Sequence, residues 1–303
     1  MSKSAPPTEG SASMMLADGR TLSFLAVGAP DGPTIFHNHG GPSSRLEVRL
    51  VEAAAHRHGV RVIGIDRPGI GLSSPYPGRT LSSWADDVRA LADHLDVRRF
   101  CVSGWSEGGP YALACAAGLP PDRLALTISV AGGSYGAFGD NWASKHLNLA
   151  DWIGGFLAMH FQLGFRLMYD AIAWQGVDHP ETYWRALIKS LCPYDRAECA
   201  RPGVKEAFLA ATAECFRHGA GGLVTDATLL YRAWDFDLGR FGTPVDFWQG
   251  GADTLVPPQI NRQVADAVPA HSWNAVADGG HFVFLGEIDR ILARAAEALQ
   301  ASR

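Results

Sequence analysis

The order of apolar runs predicts an α/β fold: a mostly parallel sheet with flanking helices and one helical insertion. Three observations carry that class. First, short apolar runs (Thr34–Asn38, Val60–Ile65, Arg99–Val102, Leu124–Val130, Pro244–Trp248, His271–Val276) mostly alternate with stretches of helical spacing. Such alternation implies right-handed crossovers between parallel strands. Second, the alternation stops after Gly132-Gly133 and resumes at Pro244, with no strand-like run from Tyr135 to Asp237. Third, Val102–Pro110 reads as strand, tight turn and helix, with Ser106 at the tip.

Each element has a local cause. Met1–Gly10 is polar and Pro-containing without an apolar stretch, which reads as a disordered leader and not a secretory signal. Ser13–Leu16 and Thr21–Val27 flank Asp18-Gly19, a hairpin signature. Thr34–Asn38 runs into His39-Gly40-Gly41-Pro42. Leu46–His58 has helical spacing, and Asp66–Pro77 is a Gly/Pro/Ser loop. Leu81–Leu95 is amphipathic, with Asp86, Asp87, Arg89 and Asp93 on its wet side. Tyr111–Gly118 is a helix of small residues, Pro258–Val268 a further helix, and Phe282–Leu299 the closing one. The expected organisation is a sheet core over 1–134 and 238–303, with a helical insertion over 135–237. Most aromatic residues of the insertion are expected to form its own core, with a few lining an apolar pocket.

Composition bounds the function. The chain of 303 residues is 47% apolar and 19% charged, ordinary for a globular enzyme. A net charge of −5 without a basic block gives no nucleic-acid or anionic-membrane footprint. No apolar run approaches the ~18 residues of a membrane span. Five cysteines without a Cys-x-x-Cys pair suit a reducing cytoplasm better than a disulfide framework. Cys101 and Cys115 fall on apolar elements and read as core packing.

The chemistry starts at Ser106. Gly104 and Gly108 flank it at two residues on either side, where a sharp strand-to-helix turn leaves no room for a Cβ. Two later strands end in polar loops. Val245–Trp248 leads to Asp253, and Trp273–Val276 leads to His281. The carboxyl ends of parallel strands share one sheet edge, so Ser106, Asp253 and His281 are expected together. A serine hydroxyl is a poor nucleophile until a histidine takes its proton, and an aspartate holds that imidazole in the needed tautomer. The oxyanion then needs donors, and the backbone N–H groups of Glu107 and Gly41 are placed to supply them.

These stretches resemble the α/β-hydrolase fold family along nearly the whole chain. The matching parts are His39-Gly40-Gly41-Pro42, Asp66-Arg67-Pro68-Gly69-Ile70-Gly71-Leu72-Ser73, the Gly-Trp-Ser-Glu-Gly elbow, Gly251-Ala252-Asp253 and Gly280-His281. The resemblance implies Ser106 as nucleophile, Asp253 as acid, His281 as base, Gly41 and Glu107 as oxyanion donors, and the insertion as a cap. Within the family the chain is similar to capped bacterial serine esterases, and His-Gly-Gly-Pro resembles proline iminopeptidases. Those carry a further glycine where Ser43 stands, and a different elbow. Dehalogenases and epoxide hydrolases of this fold use an aspartate at the elbow, which Ser106 opposes.

The expected activity is cleavage of a carboxylic ester through an acyl-enzyme. Amide or iminopeptide hydrolysis and lactone cleavage are alternatives, and a non-catalytic ligand receptor is a further one. No cofactor and no metal ion are called for, and the expected partner is a small-molecule substrate, an apolar ester, with no nucleic acid and no membrane. His37 and His39 alternate on a strand like a metal pair but lack further ligands, which favours hydrogen-bonded structural histidines. Asp140, Asp246 and Asp278 compete with Asp253 for the acid role, with Asp140 as runner-up. The Glu107 side chain is expected to turn away from the pocket, because an inward anion would oppose the oxyanion; recognition of a cationic substrate group is the alternative. Asp66 and Arg67 are expected to brace a loop. Glu181, Glu198, Glu206 and Glu214 are expected on solvated helix faces.

Overall fold

Eight strands form one sheet in the order β1-β2-β4-β3-β5-β6-β7-β8 in the computed structural model, which describes residues 10–301. They are β1 (Ser11–Met15), β2 (Thr21–Gly28), β3 (Thr34–Asn38), β4 (Arg61–Ile65), β5 (Phe100–Trp105), β6 (Leu124–Val130), β7 (Val245–Gly250) and β8 (His271–Val276). The hairpin β1–β2 is antiparallel and joins β4 antiparallel; every pairing from β4 to β8 is parallel. Asp18-Gly19 makes the hairpin turn, where Gly19 takes φ +84°. Residues 1–9 of the expected leader lie outside the described residues.

The central strands are buried on both faces, so their sequences are apolar runs without alternation. Every residue of β5 and β6 is buried. One face is covered by α2 (Trp84–His94), α3 (Gly108–Gly118) and α10 (Pro258–Ala267). The other is covered by α1 (Glu52–Arg57), α11 (Val283–Gly286) and α12 (Ile288–Gln300). Two boundaries differ from the periodicity reading. The stretch before α1 is a 3-10 helix over Arg45–Val51, and the closing helix breaks at Glu287 into α11 and α12.

Between β6 and β7 the chain forms α4 (Leu149–His160), α5 (Gln162–Asp178), α6 (Pro180–Ser190), α7 (Pro193–Cys199), α8 (Val204–Cys215) and α9 (Gly221–Tyr231), with no strand among the described residues. Buried ion pairs tie these helices to the sheet loops. Arg67 and Arg79 both pair with Asp226 on α9, and Tyr111 donates to the same carboxylate at 3.0 Å. Arg45 joins Asp66 at 2.6 Å to Glu214 of α8 at 2.7 Å. Removing one member of such a pair strands a buried charge, at a cost of about 3–5 kcal/mol. Glu214 is therefore not on a solvated face: it neutralises Arg45, which is fully enclosed. Most of the insertion's aromatic residues are buried or half-buried, as expected, and some are not. Phe165, Tyr169 and Trp184 are buried, but Trp152, Phe156, Phe161 and Trp174 are 45–56% exposed, because α4 and α5 turn one apolar side outward.

Candidate active site

The turn after β5 holds Ser106 at φ +55°, a left-handed conformation that non-glycine residues rarely adopt. Its glycines are needed by close approach. A Cβ on Gly104 would lie 2.1 Å from the Gly108 carbonyl oxygen, and one on Gly108 would lie 2.0 Å from that of Asn38. The turn is locked by the Ser106 N–H donating to Val130 O at 2.9 Å and by Gly133 N–H donating to Ser106 O at 2.9 Å.

Ser106, His281 and Asp253 form one hydrogen-bonded chain. His281 Nε2 lies 2.9 Å from Ser106 Oγ, and His281 Nδ1 lies 2.9 Å from Asp253 Oδ2. The other oxygen of Asp253 accepts the backbone N–H groups of Leu255 and Val256 at 2.9 Å each. Gln249 Nε2 adds a donor to Oδ2 at 3.2 Å. The Asp253 carboxylate is thus oriented by its own loop, with one edge left for the imidazole. Burial pushes the His281 imidazolium toward lower pKa, but the charge and hydrogen bond of Asp253, with Asp195 and Asp151 beyond, outweigh it and leave the pKa raised.

None of the competing aspartates hydrogen-bonds His281. Asp140 accepts Ala233 N–H at 2.7 Å in an exposed loop. Asp246 binds Ser272 Oγ at 2.7 Å and Arg294 at 3.0 Å, and Asp278 is exposed. Among the histidines, His37 bridges Ser103 Oγ at 2.8 Å and Glu47 at 2.9 Å. His39 Nδ1 donates to Gly40 O at 2.7 Å, and burial beside Arg67 holds its pKa well down. Arg67 Nη1 braces the same turn, donating to His39 O at 2.5 Å. No group of three or more His, Cys, Asp or Glu among the described residues could hold a metal ion.

A cavity of about 180 Å³ opens over Ser106. Gly41, Glu107 and His281 form its sheet side, while Asp151, Tyr183 and Phe208 come from the helices between β6 and β7. The Glu107 side chain does not turn away. It lies against Gly41, where a Cβ would meet its carboxylate at 2.0 Å. The missing Cβ opens the space that this side chain fills. Burial, countered by the Arg67 charge, pushes the Glu107 carboxyl up to about 7.

Two further site residues were not visible in sequence. Asp195 of α7 accepts the backbone N–H of His281 at 2.8 Å and of Phe282 at 2.7 Å. Gly280 makes room for it, since a Cβ there would lie 2.2 Å from Asp195 Oδ2. Asp151 closes the first turn of α4 through reciprocal bonds with Asn148 while lining the cavity. Nothing local distinguishes either from other acidic residues in a helix's first turn.

A family model described as the alpha/beta hydrolase fold matches residues 33–287. A non-heme chloroperoxidase from Streptomyces lividans is 35% identical over 116 residues, 38% of this chain and 42% of that protein. A proline iminopeptidase from Xanthomonas citri is 32% identical over 35% of this chain and 34% of its own length. Each match spans well under two thirds of the relative. Among solved structures, a thermophilic esterase from Thermogutta terrifontis superposes with TM-score 0.67 at 21% identity, covering 96% of this chain and 98% of that one. With the sheet order, the strand–turn–helix at Ser106 and the family match over 33–287 all in agreement, this chain belongs to the α/β-hydrolase fold family.

Proposed function

We propose that the protein is a serine hydrolase that cleaves carboxylic esters through an acyl-enzyme. The observation that carries this reading is the unbroken Ser106–His281–Asp253 chain, with 2.9 Å at each link, opening into the cavity. In this reading His281 Nε2 takes the Ser106 hydroxyl proton as Oγ bonds to the substrate carbonyl carbon. Asp253 holds the proton on Nδ1 and stabilises the imidazolium. The Gly41 and Glu107 backbone N–H groups receive the oxyanion. Collapse expels the alcohol, which leaves with the proton from His281, and water repeats the sequence to release the acid. The helices of 135–237 act as the cap in this reading, because Asp151, Tyr183, Leu187 and Phe208 line the same cavity as Ser106. Five free thiols among the described residues favour the cytoplasm.

The test is a panel of p-nitrophenyl esters with a fluorophosphonate probe. Wild type is expected to turn over at least one ester and to carry the probe on Ser106. Ser106→Ala is expected to lose both, with turnover down by about 10⁶-fold. Labelling of Ser103 with Ser106 untouched would overturn the assignment.

A further inference from the structure

Charge in the cavity is one-sided. No lysine or arginine lines it, yet four carboxyl-bearing or triad-linked residues do: Glu47, Glu107, Asp151 and His281 with its partner Asp253. Glu47 is accounted for, since its oxygens accept from Gly40 N–H at 3.1 Å and meet His37 Nε2 at 2.9 Å. Asp253 is saturated by His281 and its own loop. Glu107 is different. Its carboxylate makes no hydrogen bond or ion pair among the described residues, and Oε2 is fully enclosed. The residue keeps some exposure only as a whole, toward the cavity it lines. Arg67 acts on it from a distance but is committed to Asp226 and to the His39 carbonyl.

Asp151 approaches the same cavity from α4. Its side chain hydrogen-bonds the neutral amide of Asn148 at 2.7 Å; burial raises its pKa against the pull of Asn148 and of the His281 charge, and its own charge helps to push Glu107 up. An enclosed carboxylate oxygen without a hydrogen-bond partner, as in Glu107, is costly, and half-buried Asp151 brings a second carboxylate to the same cavity. Aromatic rings complete the wall: Tyr135, Tyr183, Trp105 and Phe208. Ring faces attract cations and not anions. One ligand feature answers all of these at once.

We propose that Glu107 and Asp151 form a cation subsite, so that the preferred ester carries a positively charged ammonium group in its acyl or alcohol part. This rests on the hydrolase reading above and assigns its substrate class. The ammonium sits between the two carboxylates with its alkyl groups against the tyrosine rings. Binding gives both carboxylates a cationic partner that the chain itself does not place in the cavity, so the subsite discriminates by charge and not by size. Glu107 then has two separate parts: its N–H faces the oxyanion and its side chain faces the substrate cation.

The test uses esters matched in shape and differing by one permanent charge. Choline butyrate is compared with 3,3-dimethylbutyl butyrate, and p-nitrophenyl 4-trimethylammoniobutyrate with p-nitrophenyl 5,5-dimethylhexanoate. The expected result is that kcat/KM favours the cationic member of at least one pair by about tenfold or more, the scale of a desolvated contact between a quaternary ammonium and aromatic rings. Asp151→Asn and Glu107→Gln are each expected to reduce that ratio several-fold. A ratio at or below one in wild type for both pairs overturns the subsite while leaving the hydrolase reading intact. Direct binding separates the two readings further. Ser106→Ala protein is expected to bind butyltrimethylammonium in calorimetry, and Ser106→Ala with Asp151→Asn to bind it about tenfold more weakly. If no ester is cleaved but the cation binds in this way, the hydrolase reading fails and the subsite stands. Absence of binding, or binding unchanged by Asp151→Asn, overturns the subsite.

Discussion

The Asp195 carboxylate, carried by α7, accepts the backbone N–H of His281 at 2.8 Å. The residues are 86 positions apart, one on α7 and the other in the loop after β8. Through this contact the helices between β6 and β7 help to set where the imidazole sits relative to Ser106.

Asp195→Asn is expected to lower kcat by about 10–100-fold, with a smaller effect on KM, because a small misplacement of the base costs that much. It should also lower the His281 pKa, since the Asp195 charge helps to raise it. The acidic limb of the kcat/KM profile would then move to lower pH. A fall in kcat without that shift would mean that the contact acts only through folding.

Asp253→Asn is expected to keep the fold and lose about 10⁴-fold in turnover, because the amide favours the wrong imidazole tautomer. Asp140→Asn should stay within a few-fold of wild type, since Asp140 caps an exposed loop. Steady-state rates of the two variants on one ester decide the matter, and a dead Asp140→Asn beside an active Asp253→Asn would reverse it.

Glu107 should make the apo protein less stable as pH rises. Its folded-state pKa, about 7, lies above its unfolded value, so the folded chain holds the proton longer. Stability from this group is full below the unfolded value and is lost as pH climbs to about 7. Glu107→Gln removes the ionisation. Chemical denaturation at pH 8 is expected to show the variant more stable than wild type by up to about 3 kcal/mol, with the gain absent near pH 4. An equal gain at both pH values would place the effect in packing instead.

What the chain determines by itself is local. Gly104 and Gly108 around Ser106, the glycine-rich loops before Asp253 and His281, and the apolar runs that precede all three are backbone facts within a few residues of each side chain. Strand alternation then brings those loops to one sheet edge, because parallel strands share a carboxyl end. Tertiary packing alone decided the rest. Asp195 and Asp151 reach the site because α7 and α4 present those faces to the loops of the sheet, and neither face differs in pattern from its neighbours. Glu214 is buried because Arg45 needs a counter-charge 169 positions away. The Glu107 side chain turns inward because Gly41, on another strand's loop, leaves a hollow beside it. Each of these depends on the close approach of segments far apart in sequence, where the energy lies in contacts that local propensity does not encode.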